Sequence, residues 1–228
     1  MKEKNRISCI IPAYNEGNRI EAVLKIIQNH PLINEVIAIN DGSTDDTASV
    51  IKKFKNVRLI DLKKNGGKAS ALAAGIRKAH YNYLIFIDAD LINLKKKDIT
   101  SIIKPILKKE ADVSISLRKN VPFCFRLIGL DFISGERVIP KSLFCDLKEL
   151  KKIPSWGIEA YINKRIIEKE LKIKVVRWKE VISPYPSTKF GFVKGNLRFL
   201  GMMRQIIHTI GLIGVPTQII KMLKLQVK

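Results

Sequence analysis

Short apolar runs alternate with helical patterns over the first ninety residues, and this alternation constrains the fold more than any other feature of the chain. The apolar runs cover Ile7–Pro12, Glu35–Asn40, Val57–Asp61 and Tyr83–Asp88. Between them, helical patterns or a high alanine content mark Glu16–Asn29, Asp45–Phe54 and Lys68–Ala79. Strands that are apolar on both faces and separated by helices are typical of parallel sheets. We therefore predict an α/β fold with a mostly parallel central sheet flanked by helices and joined by right-handed crossovers.

The last apolar run ends in two carboxylates, in the sequence Ile85-Phe86-Ile87-Asp88-Ala89-Asp90. On an extended strand Asp88 and Asp90 would share a face, and Ala89 is too small to block a ligand there. Two carboxylates at this spacing suit Mg²⁺ or Mn²⁺, which take their other ligands from water and substrate phosphates. The alternative is that the two aspartates only cap the strand and open a turn.

Polar, turn-forming clusters also follow two earlier strands. They are Pro12-Ala13-Tyr14-Asn15-Glu16 and Asn40-Asp41-Gly42-Ser43-Thr44-Asp45. In open α/β sheets ligands bind outside the carboxyl ends of the strands, so we expect both clusters and Asp88–Asp90 to converge. Each cluster also has a local explanation as a turn or a helix N-cap.

A fourth element is Asn65-Gly66-Gly67-Lys68, at the start of a predicted helix. Its glycines let the backbone approach a ligand, and Lys68 stands at a helix N-terminus, which favours anions. The segment is not a Walker A loop, because Leu62 and Ala69 do not match GxxxxGK[ST]. No GxGxxG fingerprint follows the first strand, which argues against a dinucleotide-binding dehydrogenase.

The charge of the chain is strongly positive and unevenly distributed. Of a net charge of +21 over 228 residues, residues 1–94 carry +4 and residues 95–228 carry +17. Such a field favours anionic partners, either phosphorylated acceptors or anionic lipid headgroups. Nucleic acid is not predicted as a partner, because no recognisable binding motif accompanies the basic residues. Widely spaced cysteines and the lack of an apolar leader predict a cytoplasmic location, either free or at the inner face of the cell membrane.

Together these motifs resemble family-2 glycosyltransferases of the GT-A fold, in which a nucleotide-sugar lies across the strand ends of a Rossmann-like sheet. The resemblance is strongest over roughly the first 95 residues, although Asn40 stands where the family usually has Asp. It implies that Asp88 and Asp90 are the metal ligands of a DxD motif, with Mg²⁺ or Mn²⁺ as cofactor. It also implies nucleotide-sugar contacts from Pro12, Ala13, Tyr14, Asn15, Glu16, Asp41, Gly67, Lys68, Asp88 and Ala89.

The second half resembles a subset that includes glucosyl-phosphoglycerate synthases and polyprenyl-phosphate glycosyltransferases. The resemblance lies in Ser134-Gly135-Glu136-Arg137 and in Trp156-Gly157-Ile158-Glu159. It implies catalytic roles for Glu159 and Asp90, and an acceptor loop formed by Ser134, Gly135, Glu136 and Arg137. The alternative for Glu159 is an exposed residue on the first turn of a helix running to Leu171.

Histidine usage departs from this subset. Several of its members add a histidine metal ligand after the catalytic acid, whereas no histidine lies between Glu159 and His208. The third protein ligand is therefore left open. His30 and His80 are predicted to be surface residues.

The predicted function is metal-dependent transfer of a sugar from a nucleotide-sugar, in first place a UDP-sugar, to an anionic or polyprenyl-phosphate-like acceptor. A cation and Lys68 would stabilise the leaving diphosphate, and Glu159 would remove the proton of an acceptor hydroxyl. One alternative is a sugar-phosphate nucleotidyltransferase, although its glycine-rich, arginine-containing loop is missing after the first strand. The other is a non-enzymatic basic protein that binds membranes or nucleic acid.

We predict a GT-A domain over residues 1–195 and a C-terminal amphipathic helical appendage over residues 196–228. Within the domain, residues 1–94 form the nucleotide-sugar-binding half and residues 95–195 the acceptor-side half. In the appendage, a helix over Leu197–Ile213 separates polar from apolar residues, is broken by Pro216 and is too polar to span a membrane. It either packs on the domain or gives residues 197–225 a peripheral membrane contact.

Overall fold

The computed structural model describes residues 6–144, 146–154, 157–184, 201, 204–205, 207–211 and 213–227. Within this part of the chain, the strands are β1 (Ile7–Ala13), β2 (Glu35–Asp41), β3 (Arg58–Leu62), β4 (Tyr83–Phe86), β5 (Val113–Arg118), β6 (Arg137–Pro140) and β7 (Ile173–Trp178). The helices are α1 (Gly17–Ile27), α2 (Thr47–Lys52), α3 (Gly67–Lys78), α4 (Lys96–Leu107), α5 (Phe123–Ile128), α6 (Leu147–Lys151), α7 (Ile158–Glu168) and α8 (Gly214–Lys224).

The described strands form one sheet in the order β3-β2-β1-β4-β6-β5-β7. All neighbouring pairs are parallel except those of β6, which runs antiparallel between β4 and β5. The carboxyl ends of the six parallel strands therefore lie at one edge, which we call the catalytic edge. The predicted fold, a mostly parallel sheet flanked by helices, is confirmed.

Alternate residues of β1 enter two different cores, because successive side chains of a strand point to opposite faces. Cys9 and Ile11 pack into a core with α1, α2 and α4, whereas Ile10 packs with α3, α7 and α8 on the other face. On α1, Ile20 and Leu24 are buried at the helical spacing seen in the sequence. Burial on both faces explains why these strands are almost continuously apolar.

The strand β4 is shorter than predicted, and its bounds change how the two aspartates are presented. We expected it to reach Asp88, but it ends at Phe86, which is also the last β4 residue paired with β6. Asp88 and Asp90 therefore follow the strand instead of lying on it, and Ala89 and Asp90 form a turn. The prediction that both carboxylates share one strand face was wrong, because the strand ladder ends before them.

The C-terminal residues that are described pack on the sheet and on α7. Met222 of α8 is fully buried in the core beneath α7, and the Ile173 N–H donates to the Leu225 carbonyl at 2.9 Å. Of the predicted helix Leu197–Ile213, residues 201, 204–205 and 207–210 are helical, and residues 197–200, 202–203, 206 and 212 lie outside the described residues. That helical stretch ends at Gly211 (φ +77°), and Pro216 lies in the first turn of α8. Pro216 was thus wrongly predicted as the break, since proline is tolerated in a first turn.

No helix among the described residues combines the length and the apolar character needed to cross a bilayer. The peripheral membrane contact through residues 197–225 stays a prediction.

Candidate active site

The loops after β1 and β2 bind each other at the catalytic edge, as their sequences predict. Asn15 adopts a left-handed backbone (φ +54°), its N–H donates to the Ser43 hydroxyl at 2.9 Å, and its side-chain oxygen accepts from the Thr44 N–H at 2.9 Å. The Glu16 N–H donates to the Thr47 hydroxyl at 2.9 Å. These hydrogen bonds hold the two loops together, so their polar residues have a structural role and also lie at the same place. Tyr14 is exposed beside them.

Asp41 ties the end of β2 to the start of α3. Its carboxylate accepts hydrogen bonds from the N–H groups of Gly66 at 2.9 Å and Gly67 at 2.8 Å. Burial raises the pKa of Asp41, and these two hydrogen bonds oppose that rise. Neighbouring Asn40, which replaces the acid usual in the resembled family, donates to Asp61 of β3 at 2.7 Å. Asp41 thus fixes the loop that leads to Lys68.

Lys68 connects the nucleotide-sugar side of the predicted site with its acceptor side. Its ammonium Nζ lies 2.8 Å from Asp88 Oδ1 and 2.8 Å from Glu159 Oε1. Lys68 stands on the first turn of α3 and Glu159 on the first turn of α7, whereas Asp88 follows β4. The Glu159 side chain is only 6% exposed, so the alternative of an exposed helix residue was wrong. Its helix ends at Glu168, short of the expected Leu171.

Gly135 lies directly against this group. A Cβ atom on Gly135 would lie 2.7 Å from Asp88 Oδ2 and 2.7 Å from Lys68 Nζ. Real Cβ atoms do not approach other atoms so closely, so a larger residue at position 135 would require the Asp88 and Lys68 side chains or the loop to shift. Of the predicted acceptor loop, Gly135 is the residue whose backbone meets Asp88.

The other three residues of the predicted acceptor loop are buried beneath the site. Glu136 accepts hydrogen bonds from Ser116 at 2.8 Å and Ser134 at 3.0 Å. The guanidinium of Arg137 donates to the Ser134 carbonyl and, at 2.9 Å, to Asn163 of α7. None of the three side chains is exposed to solvent. In this structure they support the loop from below and do not line its surface.

A second basic residue, Arg118 at the end of β5, completes this buried layer. It lies 3.3 Å from Asp131 and 3.4 Å from Glu136. Burial alone would lower the pKa of Arg118, but Glu136 and Asp131 outweigh it and raise the pKa. Burial lowers the pKa of Arg137, and the nearby Glu159 carboxylate opposes this decrease. Burial raises the pKa of Asp131.

Sequence reasoning missed Arg118, Asp131 and Asn163. Arg118 ends β5 at the catalytic edge, so the pattern of polar residues at strand ends would have found it had β5 been predicted. For Asp131 and Asn163 no comparable signal exists, since their partners are distant in sequence. Trp156, part of the motif around Glu159, lies outside the described residues.

The charge of this region suits a divalent cation. Acidic side chains outnumber basic ones in this region. The acidic ones are Asp88, Asp131, Glu136 and Glu159, with Asp90 two positions after Asp88 in the chain. The basic ones are Lys68, Arg118 and Arg137. Asp88 and Asp90 are both partly exposed. The described residues contain no cluster of three or more His, Cys, Asp or Glu side chains arranged for a metal. A site of two carboxylates completed by water and phosphate oxygens fits Mg²⁺ or Mn²⁺ chemistry.

The histidines do not supply a further ligand here. His30 is buried and its Nε2 contacts the Lys96 carbonyl and the Thr100 hydroxyl, so the prediction that it is a surface residue was wrong. His80 is exposed, as predicted, and pairs with Glu35. His208 is also exposed.

A separate open groove of about 720 Å³ lies at the opposite edge of the sheet, where Tyr83, Asp112 and Pro140 line it. No predicted site residue lines this groove. The chemistry-bearing side chains instead converge at the catalytic edge, where the three strand-end clusters and α7 meet.

The sequence model described as glycosyl transferase family 2 matches residues 8–154 of this chain. This match spans more than half of the chain and includes the β1, β2 and β4 loops. The chain belongs to glycosyl transferase family 2. The predicted glycosyltransferase class is thereby confirmed over the nucleotidyltransferase and non-enzymatic alternatives.

Individual relatives match over shorter regions. Poly-beta-1,6-N-acetyl-D-glucosamine synthase of Staphylococcus epidermidis is 40% identical over 91 residues, which are 38% of this chain and 22% of that protein. The protein of the same name from Staphylococcus aureus strain MSSA476 is 40% identical over 94 residues, 40% of this chain and 23% of that protein. The match therefore spans less than a quarter of these relatives' length.

Solved structures extend the similarity of fold to most of the chain. Glucosyl-3-phosphoglycerate synthase of Mycobacterium tuberculosis, with Mn²⁺, UDP and phosphoglyceric acid, has a TM-score of 0.73 at 21% identity, covering 94% of this chain and 78% of that chain. The same enzyme with phosphoglyceric acid gives 0.71 at 22% identity, covering 90% and 78%. The predicted GT-A fold is confirmed.

Proposed function

We propose that this chain transfers a sugar from a nucleotide-sugar, a UDP-sugar in first place, to an anionic or lipid-linked acceptor, with Mg²⁺ or Mn²⁺ as cofactor. The observation that carries the proposal is the contact of Lys68 with both Asp88 and Glu159 at 2.8 Å. Three segments that were singled out separately in the sequence thereby form one charged centre at the catalytic edge. This is the edge at which α/β sheets bind their ligands.

The donor side of the proposal rests on the loops after β1, β2 and β3. Asp41 holds the Gly66–Gly67 backbone, and α3 begins there with Lys68 in its first turn. A helix N-terminus with an adjacent ammonium favours the diphosphate of a nucleotide-sugar. Asp88 and Asp90 would hold the divalent cation, which, when bound, supplies Lewis-acid stabilisation of the departing diphosphate.

The acceptor side rests on Glu159 and on the positive charge of residues 95–228. Glu159 is held at the same ammonium as Asp88, so its carboxylate is placed to take the proton of an acceptor hydroxyl. The net charge of +17 over residues 95–228 favours an anionic acceptor. The similar mycobacterial enzyme was solved with the anionic compound phosphoglyceric acid, which supports this class of acceptor here.

The proposal is tested by following UDP release from UDP-sugars with MnCl₂ and a panel of acceptors, including phosphoglyceric acid and polyprenyl phosphate in vesicles. We expect acceptor-dependent UDP release by the wild-type chain and its loss, by about 10²-fold or more, in the Asp88→Asn and Asp90→Asn variants. Glu110→Gln removes an exposed carboxylate after α4 and is the matched control. Wild-type rates in both aspartate variants would contradict the assignment of the metal ligands.

A further inference from the structure

The Lys68 ammonium lies between two carboxylates, whose negative charges favour a cation at this position. Its Nζ is 2.8 Å from an oxygen of Asp88 and 2.8 Å from an oxygen of Glu159, and its side chain is only 21% exposed. The Lys68 side chain therefore places a positive charge directly beside the proposed metal ligand Asp88.

This placement sets two positive charges in competition for Asp88. A divalent ion bound to the same carboxylate would be repelled by the ammonium, and this repulsion would be screened less than at an open surface, because the Lys68 and Asp88 side chains are only 21% and 24% exposed. The backbone of Gly135 closes one side of the position, since it passes beside both Lys68 Nζ and Asp88. Lys68 stands on the first turn of α3, whose N-terminus is the place proposed here for a nucleotide phosphate.

We propose that Lys68 occupies the cation position between Asp88 and Glu159 until nucleotide binds, and that metal and nucleotide consequently bind cooperatively. The inference rests on the proposed function, since it concerns the same donor site. A diphosphate brings enough negative charge for both cations, so Lys68 transfers its contact from Asp88 to a phosphate oxygen. The carboxylate is then free of the ammonium, and metal without nucleotide binds weakly.

Calorimetric titration of the full chain with MnCl₂, with and without saturating UDP, tests this coupling. For the wild type we expect UDP to increase the Mn²⁺ affinity by about tenfold or more, within the usual range of coupling between sites. Lys68→Met removes the charge at similar side-chain length. It is expected to raise the nucleotide-free Mn²⁺ affinity by about tenfold and to reduce the effect of UDP.

Two further variants separate the role of the charge from other effects. Lys68→Arg keeps a cation at the same place and is expected to retain weak nucleotide-free Mn²⁺ binding. Lys64→Met removes an exposed lysine from the loop before α3 and is expected to leave both affinities within about twofold, because exposed charges are screened. Far-UV circular dichroism verifies that each variant is folded, and Lys68→Arg reports on the charge even where Lys68→Met does not fold.

Equal Mn²⁺ affinities of wild type, Lys68→Met and Lys68→Arg without nucleotide would overturn the inference, as would Mn²⁺ binding by the wild type that UDP does not strengthen. Sugar transfer is measured separately from these titrations. Absence of transfer with the expected titrations would contradict the proposed function alone, and normal transfer with uncoupled Mn²⁺ binding would contradict only the role of Lys68.

Discussion

Glu159 is buried in the structure, although its position in the sequence is also typical of an exposed helix residue. A glutamate on the first turn of a helix is ordinarily explained by the helix dipole, and such a residue is usually exposed. Here the side chain is buried and its carboxylate contacts Lys68 at 2.8 Å. The residue and its helix could be predicted from the sequence, but its burial could not. A buried carboxylate needs a partner, and the partner, Lys68, lies ninety-one positions earlier in the chain.

Replacing Glu159 with Gln is expected to separate catalysis from donor binding. If Glu159 takes the proton of an acceptor hydroxyl, kcat falls by about 10²- to 10⁴-fold while the affinity for UDP changes little. Steady-state kinetics and UDP titration measure the two effects. An unchanged kcat would contradict the proton-accepting role and would point to an acceptor phosphate, which needs no base.

Substituting Gly135 with Ala tests the close approach of the loop to Asp88. The added methyl group would lie 2.7 Å from Asp88 Oδ2, so the loop or the carboxylate must shift. We expect UDP to bind at least about tenfold more weakly in the presence of Mn²⁺, a loss of about 1.4 kcal/mol. Gly201→Ala, at a helical position with open space around it, is the control. Equal UDP affinity in Gly135→Ala and wild type would refute the steric argument.

At the scale of elements, the strands β1 to β4 and the helices between them follow directly from apolar periodicity and strand-end polarity. The strand β6 does not. It is four residues long, begins with the charged Arg137, and pairs antiparallel with β4 and β5, so neither its length nor its composition marks it as central. Burial of Arg137 is compensated by hydrogen bonds to the nearby Ser134 carbonyl and to Asn163, and the Asn163 partner, 26 positions later, is not visible in a local pattern.

The hydrogen bonds of Glu35 connect β1, β2 and the start of β4, and they predict how stability depends on pH. Glu35 of β2 accepts hydrogen bonds from Ser8 of β1 and from His80, near the start of β4. Burial alone would raise the pKa of Glu35, but the hydrogen bonds from His80 and Ser8 outweigh it and lower the pKa. The stabilisation is therefore complete above the ordinary glutamate pKa of 4.5 and is lost as the pH falls through the lowered value.

We expect Glu35→Gln to reduce the decrease of Tm between neutral and acidic pH, relative to wild type. Thermal unfolding followed by circular dichroism at a series of pH values measures this slope. Glu110→Gln, which removes an exposed carboxylate, is expected to keep the wild-type slope. A Glu35→Gln profile parallel to the wild type down to acid pH would exclude this coupling.

The helix α8 is expected to contribute to the stability of the whole sheet. Met222 is fully buried against the core under α7, whereas Ile220 on the same helix is 54% exposed. Met222→Ala should cost about 2–5 kcal/mol of unfolding free energy, and Ile220→Ala within about 0.5 kcal/mol. Urea denaturation measures both. Equal, small effects of the two substitutions would mean that α8 does not pack as described.

At the scale of the whole molecule, the fold gathers motifs that are distant in sequence at one edge of the sheet. Family membership and fold follow from the first half of the chain, where the polar loops after β1, β2 and β4 were recognisable. The acceptor half was less predictable, because Glu136 and Arg137 look like surface charges but support the site from beneath. The separation of residues 1–195 from residues 196–228 stays a prediction.

The most direct test of a single metal and nucleotide site is the thermal shift of wild type and Asp88→Asn with UDP, in the presence and absence of MnCl₂. A ligand that binds the native state raises Tm. We expect UDP with Mn²⁺ to raise the Tm of the wild type by several degrees, and neither UDP alone nor the Asp88→Asn variant to reproduce that rise. An equal rise in Asp88→Asn, or no rise in the wild type, would contradict the account.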